Sequence, residues 1–204
     1  MITFKQTIEY LKADIQRRVL LEGKPAGLIS TLSVLFKCGV VTVILYRFSH
    51  YLMGTRFSFL HKILALIEHF YTKNEVSAVA QIGPGLVLGD GGGIGITRVT
   101  IAGKNCTFLG SNSITLGAMD AYDVEKDRIV LGDHCVVGAR VRIMRPMQIA
   151  DGTQIKNNSV VVFPVDKVGS VISGIPAKRR SVETYENVIS WNPLKGGFIA
   201  GQSK

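Results

Sequence analysis

Between Ile82 and Val161 an apolar residue returns at every sixth position, and few folds can accept that period. Leu131, Val137, Ile143, Ile149, Ile155 and Val161 form an unbroken run; Ile96, Ala102, Phe108 and Ile114 precede it, and Ile82, Leu88 and Ile94 come first. Four places after many of these thirteen anchors stands a compact residue, among them Cys106, Asn112, Cys135, Val141, Thr153 and Ser159, with Met147 the bulky exception. Six suits neither an amphipathic helix nor an alternating strand. It suits a hexapeptide solenoid, in which each repeat makes one face of a coil and each anchor stacks on its equivalent one coil away. The expected fold is mainly β: a left-handed parallel β-helix of about four to five triangular coils, preceded by an α-helical region.

Two departures interrupt the period. Gly89–Asp90–Gly91–Gly92–Gly93 leads into a two-residue phase shift between Ile94 and Ile96, and Ala118 to Val130 is an excursion carrying Asp120, Asp123, Glu125 and Asp127. Insertions in a solenoid become loops on one side of it, often the binding side. The glycine run is superficially like a phosphate loop, but that chemistry needs a strand before it and a helix after it. It is read instead as a corner where the coil changes phase. The acidic excursion is read as a solvated face, and no metal is expected.

The chain divides into a helical region (1–74), the β-helix (75–175) and a tail (176–204), in which Gly196–Gly197 and Gly201–Lys204 are expected to be poorly ordered. Ile8, Leu11, Ile15 and Val19 mark a first helix that ends at Gly23–Lys24–Pro25. Leu28 to Leu45 is nearly long enough to cross a bilayer, yet Lys37 stands at its centre. A further apolar helix is expected from Phe57 to Phe70. Three arrangements stay open for these segments: packing on one another or on partner subunits, lying in the plane of a membrane surface, or spanning it.

The net charge of +9 invites an anionic partner, but no aromatic-interleaved basic motif accompanies it, so nucleic acid is not expected. The cations gather at Arg140–Arg142–Arg145 and Lys178–Arg179–Arg180. Three cysteines without a CxxC spacing, and a charged, periodic amino terminus in place of an apolar leader, point to a reduced cytoplasmic protein. Its place would be the inner face of the membrane if the helices touch lipid.

The repeat closes with Ser159–Val160–Val161, Pro164 and then Gly174–Ile175–Pro176–Ala177–Lys178. With the period, this resembles the hexapeptide acyltransferases. Tyr46–Arg47–Phe48–Ser49–His50, together with Ile114–Thr115–Leu116–Gly117 before a loop, looks like the serine acetyltransferase branch, most like its members in polysaccharide biosynthesis. The resemblance covers roughly residues 40 to 180. It implies acetyl-CoA as cosubstrate, a homotrimer with the cofactor in the groove between subunits, and a small-molecule or glycan acceptor. Carried over residue by residue, it implies cofactor contacts at Gly138, Ala139, Asn158, Ser159, Gly174, Pro176, Ala177, Lys178 and Arg179. Cations at the last of these positions would meet phosphates.

The same comparison locates a departure. Serine acetyltransferases read aromatic–Asp–His–x–x–Gly–Ile before the phase shift, and that histidine takes the acceptor's proton. Here Leu88–Gly89–Asp90–Gly91–Gly92–Gly93–Ile94 places Asp90 at the histidine and Gly89 at its neighbouring aspartate. The family's second histidine lies in Arg–His–Pro; here Asp127–Arg128–Ile129 keeps the arginine, Arg128, as the implied substrate contact, and has no histidine. Acyl transfer to a hydroxyl needs a base near neutrality, which an imidazole is and an ordinary carboxylate is not. Asp90 as an altered base, Asp90 as a corner residue of a silent homologue, and His134 as the base are the open alternatives. Two function classes follow: an O-acyltransferase for a sugar or another small hydroxyl acceptor, in surface polysaccharide biosynthesis, or a catalytically silent relative used for binding or scaffolding. Serine is the less favoured acceptor, because the amino-terminal region is short.

Overall fold

A computed structural model describes residues 2–117, 123 and 126–199. Thr3 starts the chain's first helix with a reciprocal cap: its hydroxyl accepts from the Gln6 amide at 3.2 Å, and the Gln6 side chain accepts from the Thr3 amide at 2.9 Å. Four helices follow in order, α1 (Phe4–Leu21), α2 (Leu28–Leu35), α3 (Cys38–Leu52) and α4 (Leu60–Thr72). The apolar stretch from Leu28 to Leu45 is therefore not one segment. It breaks at Phe36–Lys37, where the chain turns by 87°. The Lys37 ammonium is drawn to Glu22, 2.8 Å away. Among the described residues no single helix is long and apolar enough to cross a membrane.

The solenoid begins at Glu75. Short strands build three parallel sheets, one for each side of a triangular prism. The first side stacks β1 (Glu75–Val76), β4 (Gly95–Ile96), β7 (Ser113–Ile114), β10 (Arg142–Ile143) and β13 (Val160–Val161). The second stacks β2 (Gln81–Ile82), β5 (Thr100–Ala102), β8 (Ile129–Leu131) and β11 (Met147–Ile149). The third stacks β3 (Val87–Leu88), β6 (Thr107–Phe108), β9 (Val136–Val137), β12 (Gln154–Ile155) and β14 (Ser170–Gly174). This is a left-handed parallel β-helix of about five coils.

Strand register explains the six-residue period. Leu88, Phe108, Val137 and Ile155 are successive partners along the third side, with Ile172 continuing the column. Ile96, Ile114, Ile143 and Val161 do the same along the first. Every one of the thirteen anchors is at most 5% exposed. The phase shift is absorbed at a corner: Gly92 and Gly93 adopt φ of 65° and 70°, Ile94 stays buried there, and Ile96 takes over as the strand anchor.

The helices cap the open end of the prism, covering strand edges that would otherwise invite pairing with another chain. Tyr46 donates to the Ala80 carbonyl at 2.8 Å, and His50 Nδ1 lies 2.7 Å from the Ala78 carbonyl. Arg47 donates to the Ile82 and Gly83 carbonyls at 2.6 and 2.7 Å and to both oxygens of Asp14. In the tail, Gly196–Gly197, expected to be poorly ordered, instead lead into a paired strand. β15 (Ala177–Val182) folds back antiparallel on β14, α5 (Tyr185–Ser190) follows, and β16 (Trp191–Asn192) pairs with β17 (Gly197–Phe198). Asn192 donates to the Leu21 carbonyl at 2.7 Å, which ties the tail to α1. Gly201–Lys204 lie outside the described residues.

Candidate functional site

A triangular coil needs a tight corner at each edge, and the chain spends left-handed residues there. Along the edge joining the second and third sides these are Gly85, Asn105, His134, Gly152 and Gly169, one per coil. Along the edge joining the third and first sides they include Ser111, Arg140, Asn158 and Gly174. Which corner a residue occupies is set by its phase in the repeat.

That phase gathers most of the expected cofactor residues on the edge between the third and first sides. Asp90 falls there in the first coil, and Gly138, Ala139, Asn158, Ser159 and Gly174 in the last three. Backbone hydrogen bonds run down the edge, Ser111 to the Gly92 carbonyl, Arg140 to that of Gly110 and Asn158 to that of Ala139, each at 2.9 Å. The Asn157 side chain accepts from the Ala139 amide at 2.8 Å, and the Ser159 hydroxyl from the Gly174 amide at 3.3 Å. A Cβ at Gly138 would stand 2.6 Å from that Asn157 oxygen, so only glycine lets these coils close. Pro176 sits in the two-residue turn between β14 and β15. Ala177, Lys178 and Arg179 open β15; Arg179 lies 3.5 Å from Asp166 and Lys178 is exposed.

Asp90 stands at the upper end of this edge, and both its oxygens are taken. One forms an ion pair with Arg18 of α1; the other accepts from the Gly39 amide of α3 at 3.1 Å. Arg18 is 4% exposed and also donates to the Leu88 carbonyl at 2.8 Å and to Glu22 at 2.7 Å. Around them opens a cleft of about 370 Å³ lined by Arg18, Glu22, Lys37, Asp90 and Lys195. Partial burial works against the Glu22 anion, but Lys24, Lys37 and Arg18 together bring its pKa down to about 2. Gly89 has a separate cause: a Cβ there would collide with the Leu109 carbonyl. No larger residue fits in this corner.

His134 is held on a different edge. Among the described residues, α1 and the tail are its neighbours: Gln16, Arg17, Asn105, Ile189 and Trp191 share a cleft of about 340 Å³ with it. Burial, and then the nearby Arg17 guanidinium, push its pKa below 6.5, so the imidazole is neutral at pH 7. Arg17 itself is spent on the scaffold, donating to the Gly85 and Cys106 carbonyls at 2.7 and 3.1 Å. Arg128 lies on the third edge, between the first and second sides, donating to the Arg98 carbonyl at 3.1 Å. Within one chain, Asp90, His134 and Arg128 are thus on three separate edges, because they differ in phase.

Of the acidic excursion, Lys126 lies 3.0 Å from Asp123 and the Asp123 amide donates to Asp127 at 2.8 Å; Asp120 and Glu125 lie outside the described residues. Among the described residues no group of three His, Cys, Asp or Glu is placed to hold a metal ion. The residues that sequence reasoning passed over are Arg17 and Arg18. Arg18 follows Leu11 and Ile15 on the apolar stripe of α1, with Glu22 one turn later, and an arginine in that setting was the available signal.

No protein-family model matches the chain. A serine acetyltransferase of Helicobacter pylori J99 is 30% identical over 159 residues, which is 78% of this chain and 91% of that protein. This chain belongs to the serine acetyltransferase family. The Bacillus subtilis serine acetyltransferase is 24% identical over 168 residues, covering 82% of this chain and 75% of its own length. The crystal structure of Neisseria gonorrhoeae serine acetyltransferase superposes with a TM-score of 0.77 at 21% identity, over 92% of this chain and 71% of that one. A serine acetyltransferase in complex with CoA superposes with a TM-score of 0.72 at 20% identity, over 87% and 70%. These structures share the fold. The match to nine-tenths of the Helicobacter protein also corrects the argument from length: a short amino-terminal region does not set a chain apart from serine acetyltransferases.

Proposed function

We propose that this chain is an acetyl-CoA-dependent O-acyltransferase acting on a small hydroxyl-bearing acceptor, assembled as a homotrimer. One observation carries the reading: in a member of the serine acetyltransferase family, Gly138, Ala139, Asn158, Ser159 and Gly174 line up along a single edge of the prism. An edge of small residues leaves room for the pantetheine arm, and Lys178 and Arg179 at its far end suit the phosphates. The outer face of the third side is covered by the chain's own α1 and tail, so a neighbouring prism would meet the other two sides. Serine, the acceptor in the relatives' names, is the first to test; sugar hydroxyls, as in surface polysaccharide, are the second.

In the reaction the acceptor oxygen attacks the thioester carbonyl carbon, a base takes the hydroxyl proton, and the C–S bond breaks to release the CoA thiolate, which the proton then neutralises. By position the base is Asp90, the one of the two candidates on the cofactor edge. A second reading is favoured by the contacts of that same residue. With Arg18 and Gly39 on its oxygens, Asp90 fastens helices to the first coil, as in a silent homologue that binds without turning over.

Release of free CoA thiol from acetyl-CoA, with serine and then a panel of sugars, separates the two. The active reading predicts turnover, a fall of roughly 10² to 10⁴ in Asp90→Asn, and little change in His134→Gln. The Asp90→Asn side chain keeps an acceptor for the Gly39 amide, and a thermal melt reports whether the variant remains folded. Full activity in a folded Asp90→Asn variant would remove Asp90 from the chemistry. CoA binding without thiol release from any acceptor would establish the silent reading.

A further inference from the structure

α4 has two unlike faces. Glu68 and Thr72 are buried against the rest of the fold, at 2% and 3% exposure. On the opposite side Phe59, Ile63, Leu66, Ile67 and Phe70 follow one another at spacings of four, three, one and three residues, which is a single helical stripe. All five are between 48% and 70% exposed, and Phe57 and Tyr71 extend the apolar surface at its two ends. Exposed cations border it: Arg56, Lys62 and Lys73, the last with its ammonium 5.9 Å from the Phe70 ring centre. The only carboxylate of the helix, Glu68, is turned inward, where it accepts from the Val76 amide at 2.8 Å. Just beyond the helix Glu75 is paired with His69 at 2.8 Å, and His61 and the Tyr71 phenol are the remaining titratable groups on α4.

We infer that α4 lies in the plane of an anionic lipid surface, with its apolar stripe among the acyl chains and its lysines among the headgroups. An exposed apolar stripe, flanking cations and aromatic ends are the properties of an interfacial helix. Charge weighs against a two-fold pairing of this face with a second copy of the chain. A two-fold pairing of this face would set Arg56, Lys62 and Lys73 against their own duplicates, with no exposed carboxylate on the helix to offset them. An anionic bilayer meets both the stripe and its border, and the net charge of +9 draws the molecule towards it. The inference does not depend on whether the prism is catalytically active.

Flotation of the full chain with phosphatidylcholine vesicles, with and without phosphatidylglycerol, tests it. The chain is expected to float with the anionic vesicles and to lose that binding on neutral vesicles and in high salt. The triple substitution Ile63→Ser, Leu66→Ser and Phe70→Ser should abolish flotation, while Val182→Ser, an exposed apolar residue elsewhere, should leave it intact. Lys62→Glu with Lys73→Glu should lower partitioning roughly tenfold or more. Circular dichroism confirms that each variant is folded. Failure of the wild type to float, or flotation unchanged by the triple substitution, overturns the inference. So does a triple variant whose only change is a smaller oligomer in light scattering, since a second copy would then be what covers the stripe.

Discussion

Glu68 shows how far one side chain can be moved by its surroundings. Burial, with Glu75 nearby and against the pull of the Val76 amide, pushes its pKa up to about 8 from the 4.5 of a free side chain. Below about pH 4.5 both folded and unfolded chains hold the proton, and the contribution to stability is complete. As pH rises from there to about 8, the folded protein keeps a proton that the unfolded chain has lost, and stability falls by as much as about 1.4 kcal/mol per pH unit. Glu68→Gln retains an acceptor for Val76 and has no proton to lose. Thermal melts of the two proteins should coincide near the acid end of this window and separate towards pH 8, with the glutamine variant the more stable. Parallel pH profiles would show that Glu68 is ionised in the folded protein.

At the scale of elements, the helical region is a clamp. Arg47, 1% exposed, joins Asp14 on α1 to two carbonyls of the first coil, and Asp14 in turn accepts from the Leu86 amide at 2.7 Å. Burial pushes the Asp14 carboxyl up, against the opposing pull of Arg47. Arg47→Met would leave that carboxylate and two carbonyls without their donor, and should cost about 3–5 kcal/mol in a urea titration. Adding Asp14→Asn should recover part of that loss, whereas a cost below about 1 kcal/mol for the single variant would mean the clamp is dispensable. The prism was legible in the residue spacing because a six-residue period has one geometric solution. The clamp was not. Tyr46–Arg47–Phe48–Ser49–His50 stood out as a pattern, but its targets are backbone carbonyls, which leave no trace in side-chain identity. The bend after α2 was hidden for a related reason: Phe36–Lys37 carries neither glycine nor proline, and apolar residues continue on both sides. In the tail, Gly174 and Pro176 announced the end of the repeat, and the same residues make the turn through which β15 returns.

For the whole molecule, the corner rule divides the candidates. Phase in the repeat placed Asp90 and the glycine-rich cofactor positions on one edge and could be read from spacing alone. It also sent His134 and Arg128 to the other two, so that only an assembly of several chains could bring those residues to a common site. What spacing could not reveal was the partner of Asp90, since Arg18 lies 72 residues earlier in the chain and meets it only after the helices dock. In the proposed function the edge from Asp90 to Gly174 receives acetyl-CoA. Isothermal titration of CoA into the wild type and into a Lys178→Glu, Arg179→Glu variant tests it without needing the acceptor. Both side chains are on the surface, so the substitutions spare the core. One saturable site per chain is expected in the wild type, weakened at least roughly tenfold in the variant and by added salt, as charge-assisted phosphate contacts require. A wild type that gives no binding heat at any temperature, with equilibrium dialysis agreeing, would contradict it.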